Sequence, residues 1–129
     1  MKLLLDTHAL IWFSLGDDRL PNRARLLIED ADNKIYVSAA SAWEIAAKYR
    51  KGKLPEAEAL VLEWGQIITT LDLIELPISS AHALKSGLID MKNADPFDRM
   101  IAAQAVIENM AAISVESEWD SVGVIRIWD

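Results

Sequence analysis

Short apolar runs alternate with helix-periodic stretches along the whole chain, and no other feature constrains the possible fold as much. Lys2 to Leu5 are apolar after the lysine and predict a short buried strand. Leu10, Ile11 and Leu15 then recur at helical spacing from His8, until Gly16 and Asp17-Asp18 break the pattern. Pro21 is suited to starting a second helix, with Ala24, Leu27, Ile28 and Ala31 on one face. "KIYVS" (Lys34 to Ser38) predicts a second strand, and a helix follows from Ser38 to a C-terminal Gly52. A further helix is expected from Pro55 to about Thr69, on a face carrying Ala59, Leu62 and Ile67. Leu71 to Pro77 predict a third strand, "SSAHALKSG" a short helix closed by Gly87, and Asp95-Pro96 the start of a well-marked helix. Ala111 to Ser114 and Val124 to Trp128 complete the set as two strands. Alternation of this kind predicts an α/β layer fold with a mainly parallel central sheet.

The 129 residues suit a single domain, with no internal repeat, low-complexity tract or linker. No apolar run approaches the ~18 residues that span a bilayer. The N-terminal apolar stretch stops at Asp6, too short for a secretory leader. The absence of cysteine removes disulfides and thiolate metal sites, so a cytoplasmic protein without membrane association is the default expectation. A net charge of −7 argues against coating nucleic acid by bulk electrostatics. A polyanionic substrate would need a local basic patch or a bound cation.

The acids carry the chemistry. Asp6 stands where the first strand hands over to a helix, at a strand's carboxyl end, where open parallel sheets bind ligands. A helix cap at Asp6 or Thr7 is the alternative reading. Glu44 forms an S-x-x-E pattern with Ser41, but Ser38 directly follows the strand and is the better cap. Glu44 therefore falls well inside its helix among Ala42, Trp43, Ile45, Ala46 and Ala47, where burial is costly unless the acid is paired or bound to a metal. In "NADPFDRMIAAQA", Asp95 before Pro96 is a strong cap signature, and Asp98 falls at the third helical position, where an acid also complements the helix dipole. Glu116 follows the fourth strand by two residues, with Glu118 and Asp120 close behind. Asp6, Glu44, Asp98 and Glu116 should thus gather at one edge of the sheet and repel one another unless a hard divalent cation neutralises them. Carboxylate ligands without cysteine and with little histidine select Mg²⁺ or Mn²⁺ over zinc. Such an ion can polarise a phosphodiester and lower the pKa of an attacking water.

With these residues in view the chain resembles the PIN-domain family, and within it the VapC-type ribonuclease toxins of type II toxin–antitoxin pairs. The resemblance rests on "LLLDTHALIW", "VSAASAWEIAAKYRKGKL", "DPFDRMIAAQA" and the terminal "VGVIRIW", spread through the chain in family order. It implies a three-layer α/β/α domain over residues 1–129 and Mg²⁺- or Mn²⁺-dependent endoribonuclease activity. It also implies that Asp6, Glu44 and Asp98 are metal-binding acids, with Thr7 a supporting hydroxyl. The family's fourth acid usually lies in Thr-x-Asp. Here Ser114-Val115-Glu116 stands in its place, making Glu116 the fourth candidate and Ser114 a second supporting hydroxyl, with Glu118 and Asp120 as alternatives. Asp95 is a cap, a supporting group or a ligand. The implied partners are an RNA substrate, a second copy in a homodimer, and an antitoxin whose segment enters the acidic groove.

Lys48, Arg50, Lys51 and Lys53 cluster at the end of the Glu44 helix, where cations are favoured by the dipole. They are also candidate RNA contacts, with Arg99 beside Asp98 as a nearer one. Trp12 and Trp43 are expected in the core, and Trp64, Trp119 and Trp128 at an interface or inside. His82 is expected to be partly exposed and structural; His8 lies close enough to Asp6 to orient it. A haloacid-dehalogenase-like phosphatase needs a second acid two residues after the first, where this chain has His8. A receiver domain needs an acid pair and a late lysine that are not evident. Two rivals remain: a non-catalytic PIN-fold RNA- or protein-binding module, and an RNA-processing nuclease without an antitoxin.

Overall fold

A computed structural model describes residues 1–129. Five strands, β1 (Lys2–Leu5), β2 (Lys34–Ser38), β3 (Ile74–Leu76), β4 (Ala111–Ile113) and β5 (Arg126–Ile127), form one sheet in the order β3-β2-β1-β4-β5. Every pairing is parallel; β1 is central, with Leu3 opposite Ile35 and Ala111, and Leu5 opposite Val37 and Ile113. Leu3, Leu4 and Leu5 have no exposed surface, as a strand covered on both faces requires.

The alternation of side chains along β1 divides the core into two layers. Leu3 and Leu5 pack with residues of α1 (Thr7–Leu15), α2 (Asn22–Glu29), α3 (Ala39–Arg50), α4 (Glu58–Leu62) and α5 (Trp64–Thr70). Leu4 packs on the other side with Ile101, Ala102 and Ala105 of α7 (Pro96–Ile107), and with Ile89, which follows α6 (Ser80–Leu88). The result is the expected three-layer α/β/α arrangement. No helix is long and apolar enough to cross a membrane.

Local chemistry sets several boundaries. Asp6 caps α1, and Gly16 ends it at φ +65°, a left-handed conformation that glycine adopts without Cβ strain. Ser38 caps α3 by accepting the Ala40 N–H at 2.9 Å, so Ser41 and Glu44 form no capping box. The stretch expected to be one helix from Pro55 to Thr69 is instead a 3₁₀ turn (Pro55–Ala57), α4 and α5, because Glu63 leaves the helical region at φ −132°, ψ 36°. Ala57, Leu60 and Ile68 are its buried residues, whereas Ala59 and Leu62 are exposed. The third strand is shorter than expected, since Leu71 ends α5 and Asp72 turns the chain at φ +59°. α6 runs through Gly87 to Leu88 instead of stopping at the glycine. A 3₁₀ helix over Ser117–Val122, not anticipated, carries Trp119 into the core with no exposed surface. Trp43, expected inside, is 58% exposed and meets Phe97 edge to face at 4.7 Å.

Candidate metal centre

Strand order places β2 on one side of β1 and β4 on the other, so the chain reverses direction across the sheet at β1. The crevice beyond the carboxyl ends of strands at such a switch is where open α/β sheets bind ligands. Asp6 and Ser114, the residues that follow β1 and β4, are both buried there. The Asp6 N–H donates to the Ile113 carbonyl at 3.0 Å, tying the two strand ends together.

Asp6 is both a cap and a pocket acid. Its Oδ1 accepts the Ala9 N–H at 2.7 Å, while Oδ2 is buried with no hydrogen-bond partner. Burial pushes its pKa up, and the charge of Glu116 adds to that. The Ala9 N–H, the nearby Ser114 hydroxyl and His8 oppose it without prevailing. The Ser114 hydroxyl is engaged as acceptor for the Glu116 N–H at 3.0 Å. Thr7 is buried and its hydroxyl meets that of Ser41 at 3.0 Å, pinning the start of α1 to α3 one turn before Glu44.

Glu44 is 2% exposed. Its Oε2 accepts from the ammonium of Lys48, four residues along the same helix face, and its Oε1 is buried without a partner. Asp95 caps α7, its Oδ1 accepting the N–H groups of Phe97 at 2.8 Å and Asp98 at 3.3 Å, so one of its two oxygens is taken up by the helix start. Asp98 then projects from the first turn, where its Oδ2 accepts from Asn93 Nδ2 at 2.9 Å. Burial first, then the charges of Asp95, Glu116 and Glu44, push its pKa up to about 7. Asn93 also accepts the Asp95 N–H at 2.9 Å, so one amide organises both aspartates. Sequence reasoning passed over it, although an asparagine two residues before an Asp-Pro cap is a visible signal.

The acids after β4 separate by partner. Glu118 accepts the N–H groups of Lys92 and Asn93, and Asp120 pairs with Arg126 at 3.0 Å. Glu116 is the one whose charge acts on both Asp6 and Asp98. The charge of Glu116 thus reaches Asp6 and Asp98, and that of Glu44 reaches Asp98.

The basic residues divide as well. Arg50, Lys51 and Lys53 lie exposed at the end of α3. Lys48 reaches back onto Glu44, where burial disfavours its charge. The bond to Glu44 and the fields of Glu44, Asp95 and Asp98 more than offset that, raising its pKa. Arg99 is not a nearer phosphate contact: its guanidinium donates to the carbonyls of Ser86 (3.2 Å), Ile89 (2.6 Å) and Met91 (3.1 Å), clamping the loop between α6 and α7. His82 is buried and completes the capping box of α6 with Ser79, and His8 is exposed against Trp12.

Two orphaned carboxylate oxygens, on Asp6 and Glu44, fit a hard cation, because a buried charge without a partner is otherwise expensive. No three of these side chains stand close enough to ligate one ion directly. Mg²⁺ is compatible with that, since it keeps several waters and binds through one or two carboxylates. Two cavities of about 330 and 310 Å³ lie elsewhere, against α4–α5 and beside α2, and none of the four acids lines either.

Known proteins share the fold that carries these residues. The model of the PIN domain family matches residues 3–125. The chain is 57% identical over 37 residues to Ribonuclease VapC16 of Mycobacterium tuberculosis, a match covering 29% of this chain and 26% of that protein. The VapBC2 structure from Rickettsia felis, bound to a promoter DNA fragment, superposes with a TM-score of 0.70 at 18% identity over 100% of both chains. VapC20 of M. tuberculosis, described as a toxin that cleaves the sarcin–ricin loop, superposes at 0.63 and 13% identity over 98% of this chain and 99% of that one.

Proposed function

The chain belongs to the PIN domain family, and on that premise we propose that it is a Mg²⁺- or Mn²⁺-dependent endoribonuclease acting as the toxin of a type II toxin–antitoxin pair. The observation that carries this reading is the pair of buried, unpartnered carboxylate oxygens, Asp6 Oδ2 and Glu44 Oε1, within the field of Asp98 and Glu116. Asp6, Glu44 and Asp98 would hold the ion, no more than two of them directly and the rest through its bound waters, with Glu116 as the fourth acid and Asp95 supporting Asp98 through the helix start. A divalent cation bound there supplies polarisation of the scissile phosphodiester and a more acidic attacking water. Thr7 and Ser41 hold the two acid-bearing helices in register, and Asn93 orients Asp98. Hydrolysis consumes one water per phosphodiester and breaks one P–O ester bond.

The names of the similar proteins support the substrate and the partner: a ribonuclease, a toxin that cleaves the sarcin–ricin loop, and a VapBC2 assembly on promoter DNA. The exposed Arg50 and Lys51 are suited to steering RNA phosphates toward an otherwise acidic protein. Leu84 and Leu88, one turn apart on α6 and each at least two-thirds exposed, suit a protein-covered face, an antitoxin or a second copy being the expected occupant.

Cleavage of a panel of RNAs by wild-type protein and Asp6→Asn, in Mg²⁺, Mn²⁺ or chelator, tests the reading. Cutting is expected with wild type and a divalent ion; cutting that survives in Asp6→Asn or in chelator contradicts it. The fact that no three acids converge on a point also suits a non-catalytic PIN-fold module. That alternative expects RNA or protein binding with no cleavage under any of these conditions.

A further inference from the structure

We infer that Lys48 is a built-in competitor of the metal: its ammonium pairs with Oε2 of Glu44 and weakens that carboxylate's hold on a divalent cation. The inference rests on the proposed metal site and adds a device that sets how much metal the site requires.

The geometry is specific to this lysine. Glu44 and Lys48 are four residues apart on α3, which stacks their side chains on one face, with the acid in the favourable N-terminal position. The Glu44 side chain is 3% exposed and that of Lys48 32%, so the pair is sheltered, unlike a solvated surface bridge. Arg50, Lys51 and Lys53 remain in solvent at the same helix end, so the dipole at the helix terminus does not account for the inward turn of Lys48. What draws it in is the acid site itself, whose Asp95 and Asp98 also act on it.

The pairing is also incomplete. Lys48 satisfies Oε2 of Glu44 and leaves Oε1 buried and unpartnered, and it does not reach Asp6 Oδ2, which is unpartnered as well. A single tethered charge thus neutralises part of the cluster, in which no three acids stand close enough to ligate one ion directly. Lys48 and a divalent ion are two cations drawn to the same carboxylate. By linkage, removing the first strengthens binding of the second, and binding the second frees the first. An ordinary stabilising ion pair would have no such consequence.

The experiment is calorimetric titration of metal-free wild-type protein, Lys48→Met and Lys48→Arg with Mn²⁺ at one pH and low salt. A companion measurement follows the ¹³C signal of the Lys48 ammonium in reductively methylated wild-type protein during Mg²⁺ titration. Lys48→Met, which keeps the stem and loses the charge, is expected to bind Mn²⁺ about tenfold more tightly, with Lys48→Arg nearer to wild type. The Lys48 signal is expected to move in step with metal uptake, which keeps the inference testable even if Lys48→Met folds poorly without metal. Wild-type binding of Mn²⁺ with no tightening in Lys48→Met, or a Lys48 signal indifferent to Mg²⁺, overturns the role of Lys48 and leaves the nuclease reading standing. Failure of wild-type protein to bind Mn²⁺ at all overturns both.

Discussion

Two buried polar clusters beyond the same sheet are built on opposite principles. In the first, the Ser38 hydroxyl donates to Gln104 Oε1 at 2.5 Å, and Gln104 Nε2 donates to the Pro77 carbonyl at 3.2 Å. His82 Nδ1 accepts the Ser79 N–H at 3.0 Å, which leaves Nε2 as the donor toward Glu108 at 3.2 Å. Each link is satisfied by the chain, and the one formal charge, Glu108, sits at the partly exposed end. In the second cluster, four carboxylates are linked through their charges, two buried oxygens on Asp6 and Glu44 lack partners, and one lysine pairs with the other oxygen of Glu44. A cluster that closes on itself holds a fold together. A cluster left open and of one sign is stable only with something supplied from outside.

That contrast can be broken in several ways. The largest effect should come from Asp6→Asn, which retains the cap to Ala9 but removes the charge: RNA cleavage should fall by at least about a hundredfold, since even outer-shell changes cost up to that much. Its melting temperature in chelator should hold or rise, because the unpartnered charge is gone. A large drop in chelator would mean Asp6 is structural after all. By the same logic, Mg²⁺ at about one hundred times its Kd should stabilise wild-type protein by about 2.7 kcal/mol and leave Asp6→Asn almost unmoved, as read by thermal melting.

Gln104→Leu tests the closed cluster. Removing both its donor and its acceptor strands the Ser38 hydroxyl and the Pro77 carbonyl, so unfolding free energy should drop by about 1–3 kcal/mol. Denaturant titration should show the same loss with and without Mg²⁺. A loss that Mg²⁺ abolishes would join the two clusters into one.

Asp98 gives the pH dependence. An ordinary aspartate releases its proton near 3.8, and here release is delayed to about 7. Between these values the folded protein holds a proton that the unfolded chain has lost, so this group's stabilising contribution, complete at acid pH, drains away as pH rises toward 7. Asp6, also shifted upward, acts in the same direction. Melting temperature in chelator should therefore decline across that window, and Mg²⁺ should flatten the decline by taking up the ionised acids. The smallest effect concerns RNA steering: Arg50→Gln with Lys51→Gln should reduce the slope of log affinity against log salt by about 1–2, with cleavage at low salt still measurable. An unchanged slope would make these side chains purely structural.

Much of this could be read before any coordinates. The β1 and β2 boundaries, the caps at Ser38 and Asp95, and the parallel sheet follow from local patterns, because capping, proline geometry and apolar alternation act within a few residues. Asp6, Asp98 and Glu116 were visible for the same reason, each at a strand end or a helix start, and Glu44 as a lone acid among apolar residues well inside α3. Trp43 and Trp119 were less legible, since an aromatic on an apolar-looking helix is equally consistent with core and surface until its neighbours are known. The break at Glu63 likewise depends on what α4 and α5 pack against.

By itself, then, the sequence determined which residues are able to carry charge into a buried place and roughly where along each element they sit. Only the tertiary structure decided who meets whom: Glu116 near enough for its charge to act on Asp6 and Asp98, Glu118 and Asp120 engaged elsewhere, Arg99 spent on loop carbonyls, and Lys48 turned inward onto Glu44. The physical reason is range. Caps and periodicity are settled by neighbours in the chain, whereas the field at a carboxylate sums over charges that the fold brings together from residues far apart in sequence.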